Sequence, residues 1–202
     1  MFWKKKKEKK EKKGFWQEFL ELVRFTLLVL LVVIPIRIFI AQPFIVSGHS
    51  MDPTFHDGDY LIVDEISYKY KNPERGQVII FKLPSNHKRF LIKRIIGLPG
   101  ETVKIEGGKI YITEKNGKKI ELDENYLNGN FSSYGTWKLG KNEYFVMGDN
   151  RNNSSDSRSW GLLDRKLIIG KTFLRLFPFQ YFSFKPGEQT ANTIEIPLKK
   201  ES

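Results

Sequence analysis

The sequence predicts a mainly β protein: an antiparallel β-sheet core with a small β-ribbon insertion, preceded by one N-terminal transmembrane helix. Three observations lead there. An uncharged apolar run, FTLLVLLVVIPI, fills residues Phe25–Ile36 near the N-terminus. Short runs of β-branched and aromatic residues follow it, separated by Gly, Pro, Asn and Asp, the residues that turn a chain between strands. Beyond the apolar run there is no sustained helical periodicity, no internal repeat and no Gly-rich phosphate loop.

The first element is residues 1–20, a basic N-terminus. Lys4 to Lys13 holds eight lysines against Glu8 and Glu11, so this tract carries +6 of the chain's formal +11. The basic bias is therefore local, and its apolar neighbour makes a membrane partner, not a nucleic acid, the expectation. Residues 21–42 are assigned to the transmembrane helix. Counted from Phe25 to Val46 the stretch has 22 residues, close to the roughly 20 that span a bilayer. Arg37 and Gln42 then fall near the outer interface, and Pro35 is tolerable within a membrane helix. Lysines before the span place the N-terminus in the cytoplasm and the remainder outside. A cleaved signal peptide has the same order of regions, but no clear small-x-small site follows Arg37.

Residues 43–100 and 141–190 are assigned to the β core. Tyr60–Val63, Gln77–Phe81 and Phe90–Ile96 read as strands, and so do Glu143–Met147 and Leu167–Leu174 further on. Residues 101–140 form the insertion: Val103–Ile105 and Ile110–Ile112 flank Gly107-Gly108, and Asn116-Gly117 leads to Ile120–Leu122. Such Gly pairs and Asn-Gly steps suit tight hairpin turns. The stretch from about Glu124 to Gly140 reads as an irregular connection, and 191–202 as a tail. The aromatic segment FLRLFPFQYF, Phe173–Phe182, suits core packing, a lipid interface, or both.

There is no cysteine, which excludes disulfides, a thiolate nucleophile and the usual Cys/His zinc sites. The three histidines His49, His56 and His87 are scattered. In SGHSMDPTF, Ser47–Phe55, the serine hydroxyl of Ser50 needs a base to become a nucleophile. His49 is adjacent, so an extended backbone sends its side chain away from Ser50, and His56 and His87 sit in no recognisable motif. Lysine can serve only if burial lowers its pKa from about 10.4 towards neutrality. Lys93 meets that condition in FLIKRIIG: strand alternation groups it with Leu91 and Ile95, and Arg94 with Phe90, Ile92 and Ile96. An inward charge on an edge strand would give the same pattern. A buried Arg94 requires a carboxylate. Asp149 and Asp156 are available in GDNRNNSSDSRSWG, Gly148–Gly161, which concentrates two arginines, two aspartates and four serines.

Together SGHSMDPTF, GDYLIVDEISY with RGQVIIFK, KRIIGLPGE and GDNRNNSSDSRSWG resemble the type I signal peptidases, membrane-anchored serine endopeptidases that remove signal peptides from exported precursors. The resemblance covers the span and the chain from Gln42 to about Lys171. It implies Ser50 as nucleophile, Lys93 as general base, Ser154 as a hydrogen-bond partner that orients the Lys93 amine, an Asp149–Arg94 pair, and Asp156 with Arg158 holding the loop. It also implies signal-peptide-bearing precursors and the lipid bilayer as partners, a monomer, no cofactor or metal, and a bacterial-type plasma membrane with the catalytic domain outside. The backbone N–H of Ser50 is the natural first oxyanion donor. Some family members have a serine two residues before the nucleophile as second donor; Gly48 stands there, so its own N–H, or a water, is expected instead. Phe44, Val46, Met51, Phe55 and Ile92 are expected to line shallow apolar pockets for small side chains one and three residues before the cut. Two other classes compete: a membrane-tethered, non-catalytic β binding domain of the same fold, and a self-cleaving repressor with a Ser-Lys pair. The first is disfavoured by the presence of Ser50, Lys93 and Ser154 together, the second by the lysine tract and span where a DNA-binding domain would stand.

Overall fold

The computed structural model describes residues 14–39, 41–124, 127, 131–189 and 193–195. The Lys4–Lys13 tract lies outside them. The chain divides into two compact units, Met1–Phe39 and Ile40–Ser202.

The first unit contains α1, Phe15–Phe39, a helix of 25 residues with Glu18 in its first turn. Its apolar side chains are exposed all along the described part, with Leu20 62% and Leu31 74% accessible. The side chains of Pro35 and Arg37 fall outside the described residues. Among the described residues no helix is long and apolar enough to cross a membrane. The helix also stops short of the expected Val46, because the chain turns into a strand, β1, at Ala41–Ile45. That strand pairs with the one after it from Ala41↔Asp64 to Ile45↔Tyr60. Backbone hydrogen bonding by Gln42–Ile45 to the sheet thus replaces continuation of the helix.

The second unit is built from antiparallel strands: β2 Tyr60–Asp64, β3 Val78–Leu83, β4 Asn86–Gly97, β5 Thr102–Glu106, β6 Lys109–Thr113, β7 Lys119–Leu122, β8 Gly135–Lys138, β9 Glu143–Met147, β10 Leu163–Asp164, β11 Ile168–Phe177, β12 Ser183–Phe184 and β13 Thr193–Glu195. Two single-turn helices, α2 Ser67–Tyr70 and α3 Ser157–Trp160, lie between them. The main sheet runs β1-β2-β11-β3-β4-β9-β10, with β12 beside β11. It curls enough for Phe44 of β1 to meet Phe90 of β4 edge to face at 5.6 Å.

β4 explains much of the site. Its first half is polar and exposed, whereas Lys93–Gly97 is buried. It lies between β3 and β9, pairing Lys93↔Ile79 and Arg94↔Val78 on one side and Arg94↔Met147 on the other. Lys93 is therefore not the solubilising charge of an edge strand. Ile95 and Ile96 sit in different apolar clusters, one with Ile79, Phe81 and Val146, the other with Val103, Ile105 and Ile112. A strand covered on both faces reads as continuous apolar sequence, interrupted here by Lys93 and Arg94.

The insertion is more than a ribbon. β13-β7-β6-β5-β8 make a five-stranded sheet, and Ile96, Phe145 and Met147 of the main sheet share its apolar cluster. Gly107 and Gly108, at φ 59° and 76°, make the tight β5–β6 turn. Two expectations change here. The connection read as irregular holds β8, and the tail supplies β13, which pairs with β7 from Thr193↔Leu122 to Glu195↔Ile120. Both strands are short and polar on one side, and their pairing partners are distant in sequence.

Candidate active site

Ser50 stands in a turn between β1 and β2 that rests on a buried platform of Val46, Met51, Phe55, Leu61 and Val78. The turn is tied down from several directions. Thr54 Oγ1 donates to Asp149 Oδ2 at 2.6 Å, and Arg175 donates to the Thr54 carbonyl at 2.6 Å while its guanidinium covers the Phe55 ring at 4.7 Å. Arg175 is in turn paired with buried Asp59 at 3.3 Å.

From β4, the Lys93 amine reaches Ser50 Oγ at 2.6 Å and donates to its neighbour's carbonyl, Ile92 O, at 2.8 Å. Only 2% of Lys93 is accessible. Burial pushes its pKa down from 10.5 to about 8, against the opposite pull of the Asp156 and Asp149 carboxylates. At pH 7 about a tenth of the amines are then neutral, far more than for a solvated lysine.

Beside it Arg94 is wholly enclosed. Its Nε and Nη2 grip Asp149 Oδ1 and Oδ2 at 2.8 and 2.5 Å, and Nη1 donates to the carbonyls of Gly76 and Gly187 at 2.7 and 2.5 Å. The paired geometry makes a charge in the core tolerable, since each N–H has an acceptor. Asp156 takes the Gly148 N–H at 3.1 Å and a forked pair of bonds from Arg158 Nε and Nη2, both at 2.8 Å. It also caps α3 by accepting from the Arg158 N–H.

Three expectations are corrected. Ser154 does not hydrogen-bond Lys93: its Oγ is buried with no partner among the described residues. It packs against Gly148, where a Cβ would come within 2.2 Å of it, and the Ile92 carbonyl takes the amine proton instead. Gly48 cannot offer its N–H as an oxyanion donor, because that group donates to Asp57 Oδ1 at 2.7 Å. Its φ of 90° is the left-handed region that favours glycine, so a serine hydroxyl would be costly to place there. Met51 and Phe55, buried in the platform, do not border the groove beside Ser50 and Lys93. Their apolar character was the same clue that a pocket wall gives, which is why sequence could not separate the two.

Phe44, Val46 and Ile92 do line a groove beside Ser50 and Lys93, of about 100 Å³, joined there by Ser47, Leu61, Ile80 and Phe90. A larger hollow of about 570 Å³ lies between Pro73, Pro99, Lys115, Lys141 and Arg165, but neither Ser50 nor Lys93 borders it. His49 is a bystander to Ser50: its Nδ1 contacts Asp52 at 3.1 Å with a largely exposed ring. Thr54, Arg175, Asp57 and Phe90 were not singled out from sequence, and no local pattern marks them; Thr54, Arg175 and Phe90 earn their places through partners tens of residues away, and Asp57 through Gly48 within the same turn.

The family model described as signal peptidase, peptidase S26, matches residues 19–177. A probable signal peptidase I-2 of Synechocystis is 36% identical over 198 residues, covering 95% of this chain and 87% of its own. A signal peptidase I of Leptolyngbya laminosa is 41% identical over 152 residues, 71% of this chain and 72% of its own. Signal peptidase IB of Staphylococcus aureus is 38% identical over 175 residues, 76% and 87% of the two chains. The groove, the Ser50–Lys93 contact and these relatives lead to one assignment: the chain belongs to the signal peptidase family, peptidase S26.

Proposed function

We propose that the protein is a membrane-anchored serine endopeptidase that removes signal peptides from exported precursors, with Ser50 as nucleophile and Lys93 as general base. The observation that carries this reading is the buried Lys93 amine 2.6 Å from Ser50 Oγ, with its pKa pushed down to about 8. With one proton given to Ile92 O, a neutral amine keeps its lone pair for the Ser50 hydroxyl. Lys93 takes that proton as Oγ attacks the scissile carbonyl, then returns it to the departing amine. The resulting ester is hydrolysed by a water that Lys93 deprotonates in the same way. Arg94, Asp149, Asp156 and Arg158 act by fixing β4 and the loop.

The groove of about 100 Å³ has bulky walls in Phe44, Phe90, Leu61 and Ile80. It supports a preference for small side chains one and three residues before the cut. The anchor reading rests on the uncharged run Phe25–Ile36 and on the exposed apolar side chains of α1. An apolar helix exposed around its circumference needs lipid or protein to cover it. Exposed Phe177, Phe179, Phe182 and Phe184 of the second unit support a further contact with the lipid interface. The basic flank supports an orientation with the N-terminus in the cytoplasm and the catalytic unit outside.

The test is cleavage of a precursor carrying an Ala-x-Ala site by the detergent-solubilised protein. Ser50→Ala and Lys93→Met are each expected to lower kcat by about a thousandfold or more. Wild-type turnover by either variant would overturn the dyad.

A further inference from the structure

An oxyanion hole needs its donors aimed as well as present, and the structure holds a device for aiming the Ser50 N–H. A peptide unit is planar and trans, so its C=O and N–H point in opposite directions. In the His49–Ser50 unit the carbonyl of His49 accepts from Asn150 Nδ2 at 3.0 Å and, at a longer 3.4 Å, from the Asp52 N–H within the turn. In the next unit the carbonyl of Ser50 accepts from the Asn150 N–H at 3.1 Å. One residue thus holds both carbonyls that flank the nucleophile. The Ser50 N–H, opposite a tethered carbonyl, is turned away from the loop and finds no acceptor among the described residues.

Asn150 is itself firmly placed. Asp149 before it is locked to buried Arg94. Arg151 after it is buried, gripped by Glu124 at 2.7 and 2.5 Å, and donates from Nε to the Gly148 carbonyl at 3.0 Å. Two buried ion pairs thus bracket Asn150, and the main-chain Asn153 N–H closes the turn on its carbonyl at 3.1 Å. The side-chain amide is the part of Asn150 that a substitution can remove while leaving this bracket intact.

We propose that Asn150 is a positioning residue for the reaction: by holding the His49 carbonyl, its side-chain amide keeps the Ser50 N–H pointed at the place where the oxyanion forms. The inference rests on Ser50 being the nucleophile. It assigns the amide a role in kcat and none in binding the substrate or tuning Lys93.

Asn150→Ala removes the shorter of the two bonds to the His49 carbonyl and leaves that from the Asp52 N–H, and Asn150→Asp keeps the size and the backbone bond but loses the donor. Both are compared with the full-length wild type in detergent for precursor cleavage, thermal unfolding and inhibition by a substrate-like peptide aldehyde, to which the Ser50 hydroxyl adds reversibly to give a tetrahedral adduct. The expected result is a fall in kcat of about tenfold or more in both variants, KM within about twofold, and a matching loss of aldehyde affinity, since oxyanion donors act on the tetrahedral state. The apparent pKa of the rate profile stays where the wild type has it. Unchanged kcat in Asn150→Asp, a change confined to KM, or a fall in kcat without loss of aldehyde affinity would each overturn the proposal. A variant with a lowered unfolding temperature is judged on the aldehyde-to-substrate ratio, which misfolded protein does not alter. Ser50→Ala in the same assay separates the two readings: activity there removes the nucleophile itself, whereas an inactive Ser50→Ala beside a fully active Asn150→Asp removes only the role of Asn150.

Discussion

At the scale of the residue, the site turns on one amine. A lysine is a poor base at neutral pH because nearly all of it is protonated; Lys93 differs through burial, which disfavours the charged form. The nearby carboxylates of Asp156 and Asp149 work against that effect and keep the value at about 8. Because the proposed mechanism needs Lys93 neutral, kcat/KM for a precursor is expected to rise about tenfold per pH unit up to about 8 and to level off above it. A profile that levels off only near the ordinary lysine value of about 10.4 would contradict the desolvated amine. The same amine shows the limit of sequence reasoning. Strand alternation and apolar neighbours marked Lys93, but its partner Ile92 O is a main-chain atom, and no residue identity reveals which carbonyl will be in reach.

At the scale of the element, the loop between β9 and α3 is a clamp more than a source of reacting groups. Gly148 shows why. A Cβ there would lie 2.2 Å from Ser154 Oγ and 2.4 Å from the carbonyl of Ser50. The loop and the Ser50 turn approach so closely that only glycine fits, and this contact brings Asn150 to Ser50. Gly148→Ala is therefore expected to push the turn away and lower kcat/KM by about tenfold or more, as misplacements of about an ångström do. Circular dichroism of the variant should retain the β signature, since the two sheets do not depend on that contact. A precursor-cleavage rate within twofold of wild type would show that the approach has slack. The loop was visible in sequence as a concentration of charge and hydroxyls, but its internal division of labour was not: the Oγ of Ser154, marked by resemblance, has no hydrogen-bond partner among the described residues, while Asn150, unmarked, makes two bonds to the Ser50 turn.

At the scale of the whole molecule, the buried Lys93 amine carries a cost in stability. The Lys93 pKa lies near 8 when folded and near 10.5 when solvated. Between those values the unfolded chain binds more protons, so stability rises with pH across this window; read downward, it is lost as pH falls towards 8 and stays low below it. Lys93→Met has no proton to exclude. It is expected to be inactive yet more stable than wild type at pH 7 by about 1–2 kcal/mol, after allowance for its lost hydrogen bonds, with the gain gone by about pH 9.5 and the variant the less stable of the two near pH 10.5. Denaturant unfolding at the two pH values measures this, and an equal or lower stability at pH 7 would show that Lys93 is not held against its preference.

What the sequence by itself determined is what repeats locally. Alternation and turn residues gave the strands around Tyr60–Val63, Phe90–Ile96 and Glu143–Met147, and four short motifs gave the family and Ser50 with Lys93. What only the tertiary structure decided is what depends on approach between distant segments. Met51 and Phe55 are floor and not wall, the Gly48 N–H belongs to Asp57, β13 completes the second sheet, and Asn150 grips the Ser50 turn. The physical reason is common to all four: burial and hydrogen-bond partnership are properties of pairs brought together by folding, and the chain's own order records only which groups are available to pair.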